Sequence, residues 1–165
     1  MTLVALDADQ IRSLHATGHA MVDGVQIGWD PHDVHNLRHR VHALDLDEAS
    51  APYLVHVWLD GARLRARIGC HSAPEDGEVE IGYFVAPEDR GRGVATTMVA
   101  EFLDWLQRRG IERVRASIAP DNAPSLALVS RLGFAHVGEL VDEDDGERML
   151  SYVKQLPGLR SWSDE

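Results

Sequence analysis

The chain is 165 residues long with a formal net charge of −11, a length that suits one domain, 1–165, burying roughly two thirds of its unfolded surface. That acidic balance argues against a nucleic-acid or anionic-membrane partner, both of which need a basic surface; it is compatible with a cationic small molecule or a basic peptide, and solubility alone explains it more simply. The one cysteine, Cys70, excludes an intramolecular disulfide and fits a reducing, cytoplasmic setting, while the lack of any apolar run near the roughly 18 residues of a span, or of a basic stretch ahead of an apolar core at the start, leaves no membrane span or signal peptide to expect.

Along the chain, residues 3–6 read as a first strand. Asp7 opens a helix, with Gln10 completing a capping box, Leu6 and Ile11 forming a staple pair, and Gly18 ending it. A second helix is expected to start at Asp30 and Pro31, stapled by Trp29 and Val34, with Val34, Leu37, Val41 and Leu44 as its buried stripe. Residues 52–59 and 62–70 read as strands of a hairpin around Asp60-Gly61. After a polar loop comes the β-branched and aromatic strand Glu78-Val79-Glu80-Ile81-Gly82-Tyr83-Phe84-Val85, stopped by Pro87. Ala95, Met98, Val99, Phe102 and Leu106 then mark an amphipathic helix capped by Gly110. Residues 113–118 form a strand, Asp121 or Asn122 starts a short helix ending at Gly133, and residues 134–140 and 148–156 pair across 142–146. A mixed α/β sandwich with helices on both sheet faces follows.

Arg90-Gly91-Arg92-Gly93-Val94-Ala95 lies between the 78–85 strand and the amphipathic helix. Glycines there let backbone approach a phosphate, free N–H groups point outward, and the helix dipole favours negative charge. Arg90 and Arg92 add charge of the right sign. The G-x-x-x-x-G-K-[ST] loop is absent, and G-x-G-x-x-G fails because Thr96 follows Ala95. The pattern met is [Q/R]-x-x-G-x-[G/A], through Arg90, Gly93 and Ala95.

With Asn122-Ala123-Pro124-Ser125 and Arg131-Leu132-Gly133-Phe134 downstream, the chain resembles the GNAT N-acetyltransferases from about residue 61 to 140. Val79-Glu80-Ile81-Gly82-Tyr83 with Asn122 and Ser125 is most similar to the RimJ/RimL-like branch. The resemblance implies a GNAT fold, an α/β mixed central sheet of about six to seven strands with helices on both faces. It implies an acetyl-CoA-dependent transfer to a primary amine, either a small molecule or a peptide N-terminus. It assigns Arg90, Gly91, Arg92, Gly93, Val94, Ala95 and Thr96 to the CoA pyrophosphate. Backbone at Phe84 and Val85 would meet the pantetheine arm, with one N–H polarising the thioester carbonyl, and Asn122 would lie beside that arm. Both segments also read as ordinary structure, a core strand and a helix N-cap. The alternative function is a GNAT-fold acyl-CoA binding or sensing module without efficient turnover. Homodimerisation is left open.

The departure from the family is Val129, where many members carry a tyrosine that protonates the leaving thiolate. Ser125 is the substitute donor; a thiolate with pKa near 8.5 also leaves tolerably without full protonation. Glu78 and Glu80 share one strand face, and Glu80, nearer the point where this strand parts from its neighbour in the family, is the expected general base. His71, Glu139 and Glu143 are weaker candidates. His35, His39 and His42, with His32 nearby, read first as a wet helix face, second as a wall of the acceptor pocket, and only last as zinc ligands, since no carboxylate or cysteine completes a set. Asp142-Glu143-Asp144-Asp145-Gly146 lacks calcium-loop spacing and reads as a solvated hairpin turn.

Overall fold

The computed structural model describes residues 2–31 and 33–158. Its elements in chain order are β1 (Val4–Ala5), α1 (Ala8–Thr17), β2 (His19–Val22), β3 (Val25–Gly28), α2 (Leu37–Leu46), α3 (Ala51–Leu54), β4 (His56–Asp60), β5 (Arg63–Cys70), β6 (Glu78–Val85), α4 (Val94–Arg108), β7 (Arg113–Ile118), α5 (Ala123–Arg131), β8 (Ala135–Val141) and β9 (Arg148–Gln155). Seven strands form one sheet in the order β1-β4-β5-β6-β7-β9-β8, and β2 and β3 form a separate hairpin. Within the large sheet only β6 and β7 run parallel.

Helices cover both faces of the sheet, as the α/β expectation required. On one face, Met98, Val99, Phe102 and Leu106 of α4 and Leu128 of α5 pack on Ala66, Ile68, Ile81 and Val114. The apolar period of α4 explains this directly, since those four residues form one stripe along the helix. On the other face, Ile11 and Leu14 of α1 and Leu37 and Leu44 of α2 pack with Leu54 and Val57. Each such burial contributes about 1.5–3 kcal/mol.

Local signals in the sequence translate well where they are self-contained. Asp7 accepts from Gln10 N at 2.8 Å while Gln10 Oε1 accepts from Asp7 N at 2.9 Å, closing the capping box. The helix ends at Gly18, whose φ of 77° is the left-handed conformation that suits glycine. Residues 78–85 and 113–118 are strands over the expected spans.

Three expectations need correction. The second helix does not begin at Asp30 and Pro31: a single 3-10 turn spans Val34–Asn36, and α2 starts at Leu37. Asp33, which precedes that turn, makes no capping bond. Its carboxylate is held instead by Arg67 Nε at 2.6 Å and by the Asn36 side-chain amide, so a tertiary ion pair sets where the helix begins. Arg40 and Ala43 are buried on α2, whereas Val41 is only partly covered.

The second correction is at residues 52–59. Ala51–Leu54 is a helical turn with Pro52 in its first positions, and the strand begins only at His56. Proline has no N–H to give a ladder and a φ suited to a helix start. The third is the β2–β3 hairpin, which the sequence reading missed. Asp23 (φ 49°) and Gly24 (φ 79°) form its two-residue turn, the positive-φ pair that an Asp-Gly hairpin signal denotes.

Candidate active site

The sheet opens at one place. Strand β6 pairs with β7 only through Glu78↔Arg113, Val79↔Val114 and Glu80↔Arg115. Beyond Glu80 the two strands part, although β6 stays paired to β5 as far as Val85 and β7 to β9 as far as Ile118. Side chains alternate across β6. Val79, Ile81 and Val85 join the core beneath α4 and α5, with Tyr83 packed against it. Glu78, Glu80, Gly82 and Phe84 face the α2 side. The opening therefore lies between two cavities, one on each side of the sheet.

On the α4–α5 side, a groove of about 460 Å³ is lined by Val85, Gly93, Val94, Ala95, Thr96 and Arg131, among others. Gly91 and Gly93 have φ of 76° and 75°, and Gly93 is the N-cap of α4 with no capping side chain. The first N–H groups of a helix have no intrahelical partner, so those of Val94, Ala95 and Thr96 are presented to the groove with the positive end of the helix dipole behind them. Arg90 is committed to the turn: its Nε donates to Val85 O at 2.9 Å and its guanidinium lies 5.6 Å from the Phe84 ring centre. Arg92 is exposed. A cation that the sequence reading missed comes from α5, where Arg131 Nη1 donates to Thr96 Oγ1 at 3.3 Å.

Asp89, also missed, anchors the loop. Its carboxylate is buried, with Arg65 Nη2 at 2.7 Å and Arg63 Nη2 at 2.6 Å. The hydrogen bond from Arg65 and the charge of Arg63 hold the Asp89 carboxyl below the usual carboxylate range. The 3-10 turn Pro87–Asp89 is thereby fixed to β5 immediately before the glycines.

On the α2 side, a second cavity of about 460 Å³ is lined by His39, Arg40, His71, Glu80, Ser117 and the 140–144 end of the β8–β9 hairpin, among others. Glu80 accepts from Ser117 Oγ at 2.6 Å, and its other oxygen is 3.8 Å from His71 Nδ1. Burial beside the Arg40 guanidinium pushes the His71 imidazole down to about 4, so this ring is neutral near neutral pH. Glu78, by contrast, is tied to Arg115 at 3.0 Å and faces Arg113 at 3.8 Å. The two glutamates share a strand face, but only Glu80 stands at the opening. Gly82 is needed beside it: a Cβ there would come within 2.6 Å of His71 Nε2.

The first turn of α5 reaches the opening from the other side. Asn122 caps the helix, its side chain accepting from Ser125 N at 3.3 Å. Ser125 Oγ lies 2.7 Å from Tyr83 OH, and burial pushes the Tyr83 phenol upward, against the hydrogen bond from Ser125, which lowers it. Val129, one turn further, is 1% exposed and belongs to the core. The hydroxyl pair Tyr83–Ser125 is thus the titratable chemistry on this side, and its tyrosine comes from β6 rather than from α5.

The remaining candidates divide. Glu139 is paired with Arg148 on the exposed β8–β9 ladder, the cause of its lowered pKa, and does not line the cavity, whereas Glu143 does. His39 meets Asp144 Oδ2 at 3.1 Å and lines the cavity; His35 and His42 are exposed, and His32 lies outside the described residues. Among the described residues, no group of three or more His, Cys, Asp or Glu side chains is placed to hold a metal ion. The 142–146 segment is the expected turn, with Asp142 accepting from Asp144 N at 2.8 Å, but it also docks on α2 through Asp144, Arg38 and His39. No described helix is long and apolar enough to cross a membrane.

A family model for the acetyltransferase (GNAT) domain matches residues 1–135. The chain belongs to that family. The GNAT assignment agrees with the fold of solved proteins at low sequence identity. A spermidine N-acetyltransferase chimera of Vibrio cholerae SpeG and hSSAT superposes with a TM-score of 0.65 at 20% identity, covering 93% of this chain and 94% of that one. Mycobacterium smegmatis RimJ, in complex with CoA-disulfide, superposes with a TM-score of 0.64 at 21% identity, covering 93% and 80%. Among curated proteins, an uncharacterized N-acetyltransferase p20 of Bacillus licheniformis is 31% identical over 87 residues, 52% of this GNAT chain and 49% of that protein. The match thus spans about half of that relative's length.

Proposed function

We propose that this GNAT protein is an N-acetyltransferase that moves an acetyl group from acetyl-CoA to a primary amine by direct transfer in a ternary complex. The observation that carries the reading is the parting of β6 and β7 after Glu80, with an anion-ready groove on one side and a carboxylate-bearing cavity on the other. The groove fits a CoA ligand: Gly91, Gly93 and the N–H groups of Val94, Ala95 and Thr96 suit a pyrophosphate, Arg92 and Arg131 supply charge, and Arg90 holds the turn. Phe84, Val85 and Asn122 border the gap through which a pantetheine arm would enter. Bound acetyl-CoA supplies the acetyl group as an activated thioester.

Glu80, steadied by Ser117, accepts a proton from the amine directly or through a water. A backbone N–H near Val85 is the donor for the thioester oxygen. Ser125, hydrogen-bonded to Tyr83, is the proton source for the departing sulfur. Holding both substrates at one gap supplies much of the rate. Val129 favours the second reading, an acyl-CoA binding module with little turnover, because a valine protonates nothing. Incubating the purified chain with acetyl-CoA and a panel of primary amines, and following free thiol, separates the two. Thiol release that depends on an amine is expected. CoA binding by calorimetry without release for any amine would leave the binding module, and no CoA binding would remove both.

A further inference from the structure

Arg40 is 4% exposed, yet its hydrogen bonds within the described residues go to backbone carbonyls and none goes to a carboxylate. Nε donates to Leu54 O at 3.1 Å and Nη1 to Asn36 O at 2.8 Å. Nη2 has no hydrogen-bond partner among the described residues; it lies above Gly82, 3.6 Å from where a Cβ would stand. The nearest acid in charge terms, Asp33, is already bonded to Arg67 and Asn36. Burying a cation without an anion in contact is costly and is seldom retained without a use. Burial, with the charge of Arg67, lowers Arg40 to about 10, so it stays charged near neutral pH.

The position decides what that use is. Arg40 and Glu80 line the same cavity, and they flank Gly82, the β6 residue at the opening. A base for an amine and an unspent planar cation therefore sit on one wall, separated by a single strand residue on that face.

We propose that the acceptor is an amine bearing a carboxylate on the adjacent carbon, an α-amino-acid type of substrate, with Arg40 as the anchor for its carboxylate. This rests on the acetyltransferase reading above. The amine is directed to Glu80 at the gap, and the guanidinium holds the carboxylate through its free N–H, a charge-assisted and directional bond. The hairpin brings three acids to the rim of this cavity, Asp142, Glu143 and Asp144. Asp144 is paired with Arg38 and hydrogen-bonded to His39, and Asp142 accepts from the N–H groups of its own turn. That leaves Glu143 as the hairpin carboxylate that a bound carboxylate must keep clear of, on the side of the cavity away from β6.

The test compares matched acceptors with the unaltered full chain: α-amino acids, their α-amides, and the corresponding decarboxylated amines, with small, aromatic and basic side chains. The free acids are expected to have kcat/KM about tenfold to a hundredfold above their amides, the range of a hydrogen bond between charged groups. Amides, polyamines or peptide N-termini used as well as the free acids would overturn the proposal while leaving the acetyltransferase reading intact. Should no amine be acetylated, that reading fails, and the carboxylate preference is still read from calorimetric binding of N-acetyl amino acids and their amides to the CoA-loaded protein; equal binding of both, or of neither, overturns it. Arg40→Gln, checked for folding by circular dichroism, is expected to abolish the discrimination between acid and amide, through KM for the acid, without weakening CoA. A folded variant that still discriminates would also refute the role.

Discussion

The two sides of the sheet opening are built in opposite ways. The groove on the α4–α5 side draws most of its wall from two short runs of chain, the loop from Asp89 to Thr96 and the helix α5. The cavity on the α2 side is assembled from α2, β6, β7, the residue that follows β5, and the β8–β9 hairpin. A phosphate is met mainly by backbone N–H groups at a helix start, and a run of glycines encodes that locally. An amine acceptor is met by side chains, whose meeting depends on how distant elements pack. A change on one side should leave the other side's ligand largely untouched, because β6 alone carries groups to both.

The sharpest way to break that separation is at Glu80. Glu80→Gln keeps shape and removes basicity, and is expected to lower kcat/KM for the amine about 100- to 10,000-fold. The loss should shrink at high pH, where free amine is abundant, and CoA affinity should not move. Parental kinetics near neutral pH would remove Glu80 from the mechanism. Next is the mirror-image change. Gly93→Val puts a β-branched residue at a φ of 75° and is expected to weaken CoA binding by about tenfold to a hundredfold, given strain of about 1–3 kcal/mol at such a position. Calorimetry measures it, and undiminished affinity in a folded variant would mean that the pyrophosphate lies elsewhere.

A smaller effect is expected for the hydroxyl pair that spans the gap. Ser125→Ala or Tyr83→Phe should each cost about tenfold in kcat, less than a general acid usually contributes because a thiolate leaves tolerably unprotonated. The double variant should be little worse than either single one, since both remove the same 2.7 Å contact. Additive losses would show two independent roles.

The mildest test concerns Asp89, which borders the α4–α5 groove and secures the loop through Arg63 and Arg65. Its carboxyl is held below the usual range by Arg65 and Arg63, so it stabilises the fold above its unfolded pKa of about 3.9 and loses that contribution as pH falls through the lower folded value. Asp89→Asn should therefore unfold at lower urea than the parent near neutral pH, with the gap closing below about pH 4. A gap unchanged in acid would mean that packing, not charge, is what Asp89 supplies.

Much of this architecture is legible in the chain itself, and the reason is range. The capping box at Asp7 and Gln10, the Glu78–Val85 strand, the α4 stripe and the 90–96 turn each depend on residues within a few positions of one another. The GNAT signature belongs to the same class, since its glycine-rich loop and its Asn122–Ser125 turn are each contiguous in the chain. Asp23-Gly24 was equally local and equally readable, yet the hairpin it forms was missed.

Only tertiary packing decided the rest. The start of α2 depends on Arg67, 34 residues beyond Asp33, and Tyr83 meets Ser125 across 42. Arg40 reads as a polar helix residue until α3 and β6 close around it, and Gly69 is required because a Cβ there would fall 1.8 Å from Leu54 O. Backbone geometry is encoded by neighbours along the chain, so the sequence determined most of the elements and the glycine turn ahead of α4. Side-chain burial and pairing are set by which elements meet, so although the family resemblance already favoured Glu80 over Glu78, the fold alone decided what faces Glu80 across the cavity.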